Sequence, residues 1–96
     1  MTPTLEMYTA GARDTTPVVL IADPEVPTAQ LLRSVFAHEG YDVIMVHDGT
    51  HIFDVIAERT PDVIILETRL GHRLSGFDVL RRLREDPATA SITTFL

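Results

Sequence analysis

Two carboxylates stand where this chain can do chemistry. Glu67 follows the apolar run Pro61-Asp62-Val63-Ile64-Ile65-Leu66, and Asp23 follows Val18-Val19-Leu20-Ile21-Ala22. Runs apolar at every position read as strands of a parallel sheet with helices on both faces. Open α/β sheets keep their sites beyond the carboxyl ends of such strands. Two neighbouring strands of this kind bring both acids to one edge, and that pair is the candidate site.

Other chemistries fall away on residue type and spacing. The chain has no cysteine, so disulfides, thiolate zinc sites and cysteine nucleophiles are excluded. His47 and His51 are separated by Asp48-Gly49, while His38 and His72 lie elsewhere, so none shares the fixed helical face on which metal-binding histidine pairs sit. They read as surface histidines. Ser75 beside Gly76 lacks the glycine pattern of a hydrolase elbow. Arg81, Arg82 and Arg84 are interleaved with Asp78, Glu85 and Asp86, the pattern of a solvated helix face.

From Val18 onward, apolar runs alternate with helical stretches, which is the signature of βαβ units and a parallel sheet. After the first strand, Pro24 stops the ladder and Pro27 fits the first turn of a helix, where its missing N–H costs nothing. Leu31, Leu32, Val35 and Phe36 give that helix an apolar stripe, and Gly40 ends it in the left-handed manner. Asp42-Val43-Ile44-Met45-Val46 is the second strand, and Asp48-Gly49 turns into a helix burying Ile52, Phe53, Ile56 and Ala57. Val63 to Leu66 is the third strand. Ser75 and Asp78 approximate a capping box ahead of a third helix whose buried side is Phe77, Leu80 and Leu83. Ile92 to Leu96 reads as a fourth strand. Residues 1–17 have neither period and read as a flexible arm, with residues 18–96 as the folded domain.

Ninety-six residues, 45% of them hydrophobic, suffice for one packed domain. The net charge of -6 argues against direct nucleic-acid binding, which needs clustered Lys and Arg. No apolar run approaches the roughly 18 residues of a membrane span, and the start lacks a targeting pattern. A soluble, cytoplasmic protein without membrane contact is expected.

The run from Val18 to Leu96 resembles the receiver domain of bacterial two-component response regulators. The matching elements are Leu20-Ile21-Ala22-Asp23, Leu31-Leu32-Arg33, Glu39-Gly40-Tyr41-Asp42-Val43, Asp48-Gly49, Pro61-Asp62-Val63-Ile64-Ile65-Leu66, Gly76-Phe77-Asp78-Val79-Leu80-Arg81-Arg82-Leu83-Arg84 and Asp86-Pro87-Ala88-Thr89-Ala90. They keep the family's order and nearly its spacing. The resemblance implies a flavodoxin-like, doubly wound parallel sheet of strand order 2-1-3-4, here truncated after the fourth strand of a five-unit fold.

In that family an aspartate ending the third strand accepts a phosphoryl group from a histidine kinase, and paired acids after the first strand hold the assisting Mg²⁺. The phosphoacceptor position here is Glu67, whose extra methylene extends the carboxylate by about 1.5 Å. Asp23 matches the first acid of the pair, Pro24 replaces the second, and Glu25 follows as an acidic neighbour. A divalent site of Asp23 and Glu67 would therefore lack a charged ligand, so Mg²⁺ binding is expected to be weak and no cofactor is required. Asp23 before Pro24 also reads as a helix cap. The family's phosphoryl-sensing lysine has no counterpart, since the chain contains no lysine, and Gly71 stands where the family usually has proline in a loop one residue longer.

The resemblance thus implies a non-enzymatic, output-less receiver domain acting by protein contacts in phosphorelay-type signalling. Histidine kinases or other regulators are its expected partners. Two readings of Glu67 stand: a built-in mimic of phospho-aspartate, or a degenerate strand-end acid. Two alternative functions stand beside the first, namely slow Mg-dependent phosphoryl acceptance and self-association into a homodimer or larger assembly through uncovered sheet surface.

Overall fold

The computed structural model describes residues 16–71 and 74–96. Of the expected N-terminal arm, residues 1–15 lie outside the described residues. Thr16 and Pro17 are exposed, and the Pro17 carbonyl accepts from the Asp42 amide at 2.8 Å.

β1, Val18–Ala22, is buried at all five residues, as an unbroken apolar run predicts for a central strand. It pairs in parallel with β2, Asp42–Val46, on one side and with β3, Val63–Leu66, on the other. β4, Thr93–Phe95, joins β3, giving the sheet order β2-β1-β3-β4. The expected doubly wound sheet is therefore present. At its amino edge, Asp62 and Val18 bond reciprocally: the Val18 amide donates to Asp62 Oδ2 at 2.7 Å and the Asp62 amide to the Val18 carbonyl at 2.8 Å.

Alternation along each strand sorts the core into two layers. Val19 and Ile21 meet Ala29, Leu32 and Phe36 of α1, Val26–His38, on one face. Leu20, Ala22, Ile64 and Leu66 meet α2, Ile52–Glu58, and α3, Gly76–Glu85, on the other, through Ile52, Ile56, Val79 and Leu83. Each fully buried Leu or Ile contributes roughly 1.5–3 kcal/mol of transfer free energy.

The helix faces correct expectations on all three helices. Leu31 and Val35 do not belong to the buried stripe of α1: Leu31 is 66% exposed, and Ala29, Leu32 and Phe36 do the packing instead. Apolar residues on two sides of one helix leave periodicity without a unique answer. Likewise Phe77 is 62% exposed, because the stripe that α3 turns inward is Gly76, Val79 and Leu83, with Leu80 half-buried. Ala57, expected on the buried side of α2, is exposed as well. β4 is also shorter than expected, since the Ile92 carbonyl is taken by Arg84 Nη1 at 3.0 Å and by Thr94 Oγ1 at 3.0 Å.

Helix ends follow the residue chemistry. Gly40 closes α1 at φ 96°, and the Tyr41 amide donates back to the Phe36 carbonyl at 3.0 Å. α3 opens on a complete capping box: Ser75 Oγ accepts from the Asp78 amide at 3.1 Å, and the Ser75 amide donates to Asp78 Oδ2 at 3.2 Å. The amide and hydroxyl of Ser75 hold the Asp78 carboxyl below its usual range, and Arg81 adds to this. A carboxyl lowered in the fold stabilises it above the unfolded value of about 3.9, and that contribution is lost as pH falls through the folded value. Ser75→Ala is expected to cost about 1 kcal/mol at neutral pH. It should also flatten the acid limb of stability, read as urea midpoints at pH values stepped down through the carboxylate range; an unchanged limb would contradict the assignment.

Candidate functional site

The register sets the site. Ala22 pairs with Leu66, so Asp23 and Glu67, one residue further along parallel strands, emerge side by side at the carboxyl edge. Their backbones extend the ladders: the Glu67 amide donates to the Ala22 carbonyl at 2.9 Å and the Asp23 amide to the Val46 carbonyl at 3.0 Å. Both acids predicted from sequence therefore reach one edge.

Their environments differ. Asp23 is only 5% exposed, and its Oδ1 accepts from the Glu25 amide at 2.9 Å. That bond fastens the turn into α1, whose N-cap residue, Glu25, makes no side-chain cap of its own. The capping role read for Asp23 is thus expressed through the turn ahead of the helix. Its carbonyl also accepts from His47 Nδ1 at 3.0 Å, tying the β1 and β2 ends together. Glu67 is exposed, and its Oε1 accepts from both the amide and the hydroxyl of Thr68, at 2.8 and 3.3 Å. Thr68, which the sequence reading passed over, orients that carboxylate; a hydroxyl residue directly after a strand-end acid was the available signal.

Glu25 is brought near but turned to another task. Its Oε1 accepts from Thr28 Oγ1 at 2.9 Å, across the first turn of α1. Pro24, exposed beside Asp23, offers neither carboxylate nor N–H. Among the described residues no three of His, Cys, Asp and Glu stand close enough to hold a metal ion. Each of Asp23, Glu25 and Glu67 accepts a local donor on one oxygen and keeps the other free, and Pro24 leaves the edge without the second acid beside Asp23, a poor donor set for Mg²⁺, which prefers near-octahedral oxygens at about 2.1 Å.

On either side of residues 72–73, which lie outside the described residues, the chain pairs in antiparallel fashion. The Gly76 amide donates to the Thr68 carbonyl at 2.8 Å, Arg69 bridges Ser75, and the Leu70 amide donates to the Leu74 carbonyl at 3.1 Å. Leu70 is buried, with its carbonyl facing the Gly49 amide at 3.4 Å. Glycine is required at position 76, where a Cβ meets backbone, and is tightly packed at position 49. A Cβ on Gly49 would lie 2.8 Å from Leu74 Cδ2 and 3.0 Å from Leu70 Cβ, and one on Gly76 would lie 2.5 Å from the Glu67 carbonyl oxygen.

The family model of the response regulator receiver domain matches residues 19–95. The chain belongs to the receiver-domain family. Similar folds include a response regulator of Chloroflexus aurantiacus J-10-fl, 25% identical with a TM-score of 0.79 over 83% of this chain and 65% of that one. A sensor protein of Polaromonas sp. JS666 is 26% identical, with a TM-score of 0.76 over 81% of this chain and 62% of that one. The signal receiver domain of a signal transduction histidine kinase from Syntrophus aciditrophicus, at 22% identity, shares the fold with a TM-score of 0.77, over 82% of this chain and 59% of that one. The receiver domain described here thus spans less than two thirds of these relatives' lengths. It is a receiver domain of the two-component signalling type, and no helix among its described residues is long and apolar enough to cross a membrane.

Proposed function

We propose that this receiver domain signals through protein contacts without a phosphoryl cycle, Glu67 holding permanently the negative charge that an aspartate at that position acquires transiently. Residues 18–96 form the signalling unit, cytoplasmic and non-catalytic, with residues 1–17 as an appended arm. Its partners are histidine kinases or other regulators of the same signalling class. The observation carrying this reading is the pairing of an exposed glutamate at the end of β3 with an Asp23 whose neighbour is proline. The extra methylene misplaces the nucleophile for in-line attack, and Pro24 removes a charged ligand from the divalent site.

A self-associating role has its own support. In register with Ile65, Phe95 extends the α1 face of the sheet and is 58% exposed, while Leu31 and Val35 of α1 are also exposed. Large apolar side chains left exposed on a domain this small are candidate contacts for a second copy. Incubation with acetyl phosphate and Mg²⁺, followed by intact-mass measurement, is expected to show no added phosphoryl group; an added group assigns slow phosphoryl acceptance instead. Light scattering on the same sample at micromolar concentration is expected to give a multiple of the chain mass, and a monomer removes the self-association.

A further inference from the structure

A groove of about 540 Å³ runs between α2, α3 and the turn that leads from α3 into β4. Phe53, Ile56 and Ala57 of α2 and Ala88 of the turn give it apolar walls. That volume falls within the roughly 300–1,000 Å³ of small-ligand sites, which combine such walls with a few placed polar groups. The polar groups here are Thr60, Arg82, Glu85, Asp86 and Thr89.

All but one of these can only accept. Thr60 Oγ1 already donates to the Ile56 carbonyl at 3.3 Å and Thr89 Oγ1 to the Leu83 carbonyl at 2.8 Å, so each hydroxyl has only lone pairs left for a ligand. Asp86 Oδ1 accepts from the Ala88 amide at 2.9 Å, which fixes the turn and keeps the other carboxylate oxygen open. Arg82 and Glu85 stand three residues apart on α3, yet among the described residues neither forms an ion pair, in contrast to Arg81 with Asp78. Arg82 is turned over the Phe53 ring instead, its guanidinium carbon 4.0 Å from the centroid, a stacked arrangement that leaves the N–H donors at its edge available. The groove thus holds one cationic fork beside a surplus of acceptors.

We propose that this groove binds a free α-amino acid with an apolar side chain. The hydrocarbon lies against Phe53, Ile56 and Ala57, the carboxylate accepts from Arg82, and the ammonium donates to Glu85, with Asp86, Thr60 and Thr89 as further acceptors. A simple anion would meet the carboxylates of Glu85 and Asp86, and a simple cation would meet Arg82. A zwitterion answers both, since its three ammonium donors suit an acceptor-rich rim and its carboxylate takes two parallel N–H donors of the guanidinium. Binding joins α2 to α3 and to the turn that starts β4. The proposal does not depend on the role given to Glu67.

Amide correlation spectra of the whole chain, titrated with phenylalanine, test it. Saturable shifts are expected at Ala57, Thr60, Glu85, Ala88 and Thr89. Phenylpropionate, which lacks the ammonium, and phenethylamine, which lacks the carboxylate, should each bind at least tenfold more weakly. Arg82→Ala and Glu85→Gln should each weaken phenylalanine binding at least tenfold, whereas Arg81→Ala, on the same helix but outside the groove, should bind as the parent does. Arg82 and Glu85 are both exposed, and dispersed spectra of their variants verify folding independently of binding. Equal binding of the acid or the amine, unchanged affinity in Arg82→Ala or Glu85→Gln, or shifts absent from these residues would each overturn the assignment.

Discussion

Replacing Pro24 and Glu67 together with aspartate is expected to turn the chain into a phosphoryl acceptor: the double variant gains phosphoryl mass from acetyl phosphate and magnesium, while the parent does not. Asp23 already occupies its place at the β1 end, buried and fixed by the Glu25 amide. An aspartate at position 24 adds the second carboxylate that the donor set lacks, in a site where Mg²⁺ tolerates little departure from octahedral oxygen coordination. Shortening Glu67 draws the nucleophile back by about 1.5 Å and separates it from the Thr68 donors that now occupy Oε1. A misplacement of about 1 Å can cost on the order of 100-fold in rate. The double variant should therefore exceed either single variant by about that factor, because each defect alone is sufficient to block the reaction. Phosphoryl mass on the Glu67→Asp single variant at the same rate would show that Pro24 is harmless. No gain in the double variant would move the defect elsewhere in the fold.

How much of this was legible before the structure depends on the range of the interactions involved. The parallel sheet and the placing of Asp23 and Glu67 at strand ends follow from uninterrupted apolar runs, whereas the strand order came with the resemblance to receiver domains. The capping box was equally legible, since Ser75 and Asp78 are three residues apart and need only each other. Helix faces were less so. α1 carries Leu31 and Val35 alongside Leu32 and Phe36, and only the position of the sheet decides which pair is buried. The β3–α3 loop was illegible because its form rests on contacts distant in sequence: Gly49 against Leu70 and Leu74, and Gly76 against the carbonyl of Glu67. The direction of the Glu67 carboxylate was hidden too. Strand patterning places a residue at an edge, but the Thr68 amide and hydroxyl decide where its carboxylate points.

Gly76→Ala is expected to destabilise the domain by about 2 kcal/mol, although alanine is the better helix former. The added Cβ would stand 2.5 Å from the Glu67 carbonyl oxygen and 3.2 Å from its carbonyl carbon, both backbone atoms, whereas the Leu96 Cδ2 at 2.6 Å can rotate away. Relief requires α3 to withdraw from the end of β3 or Glu67 to leave the Ala22 carbonyl, and each route breaks a bond that positions the site. Gly40→Ala provides the comparison. There no atom lies within 4 Å of the added Cβ, and the cost is the conformational penalty of φ +96° alone, about 1 kcal/mol. Urea denaturation should rank Gly76→Ala below Gly40→Ala. Amide shifts of Glu67 and Thr68 should move in the first variant and stay in the second. A Gly76→Ala chain as stable as its parent would mean that the α3 start and the end of β3 are not in contact, and Glu67 would then lack the fixed backbone on which its proposed role depends.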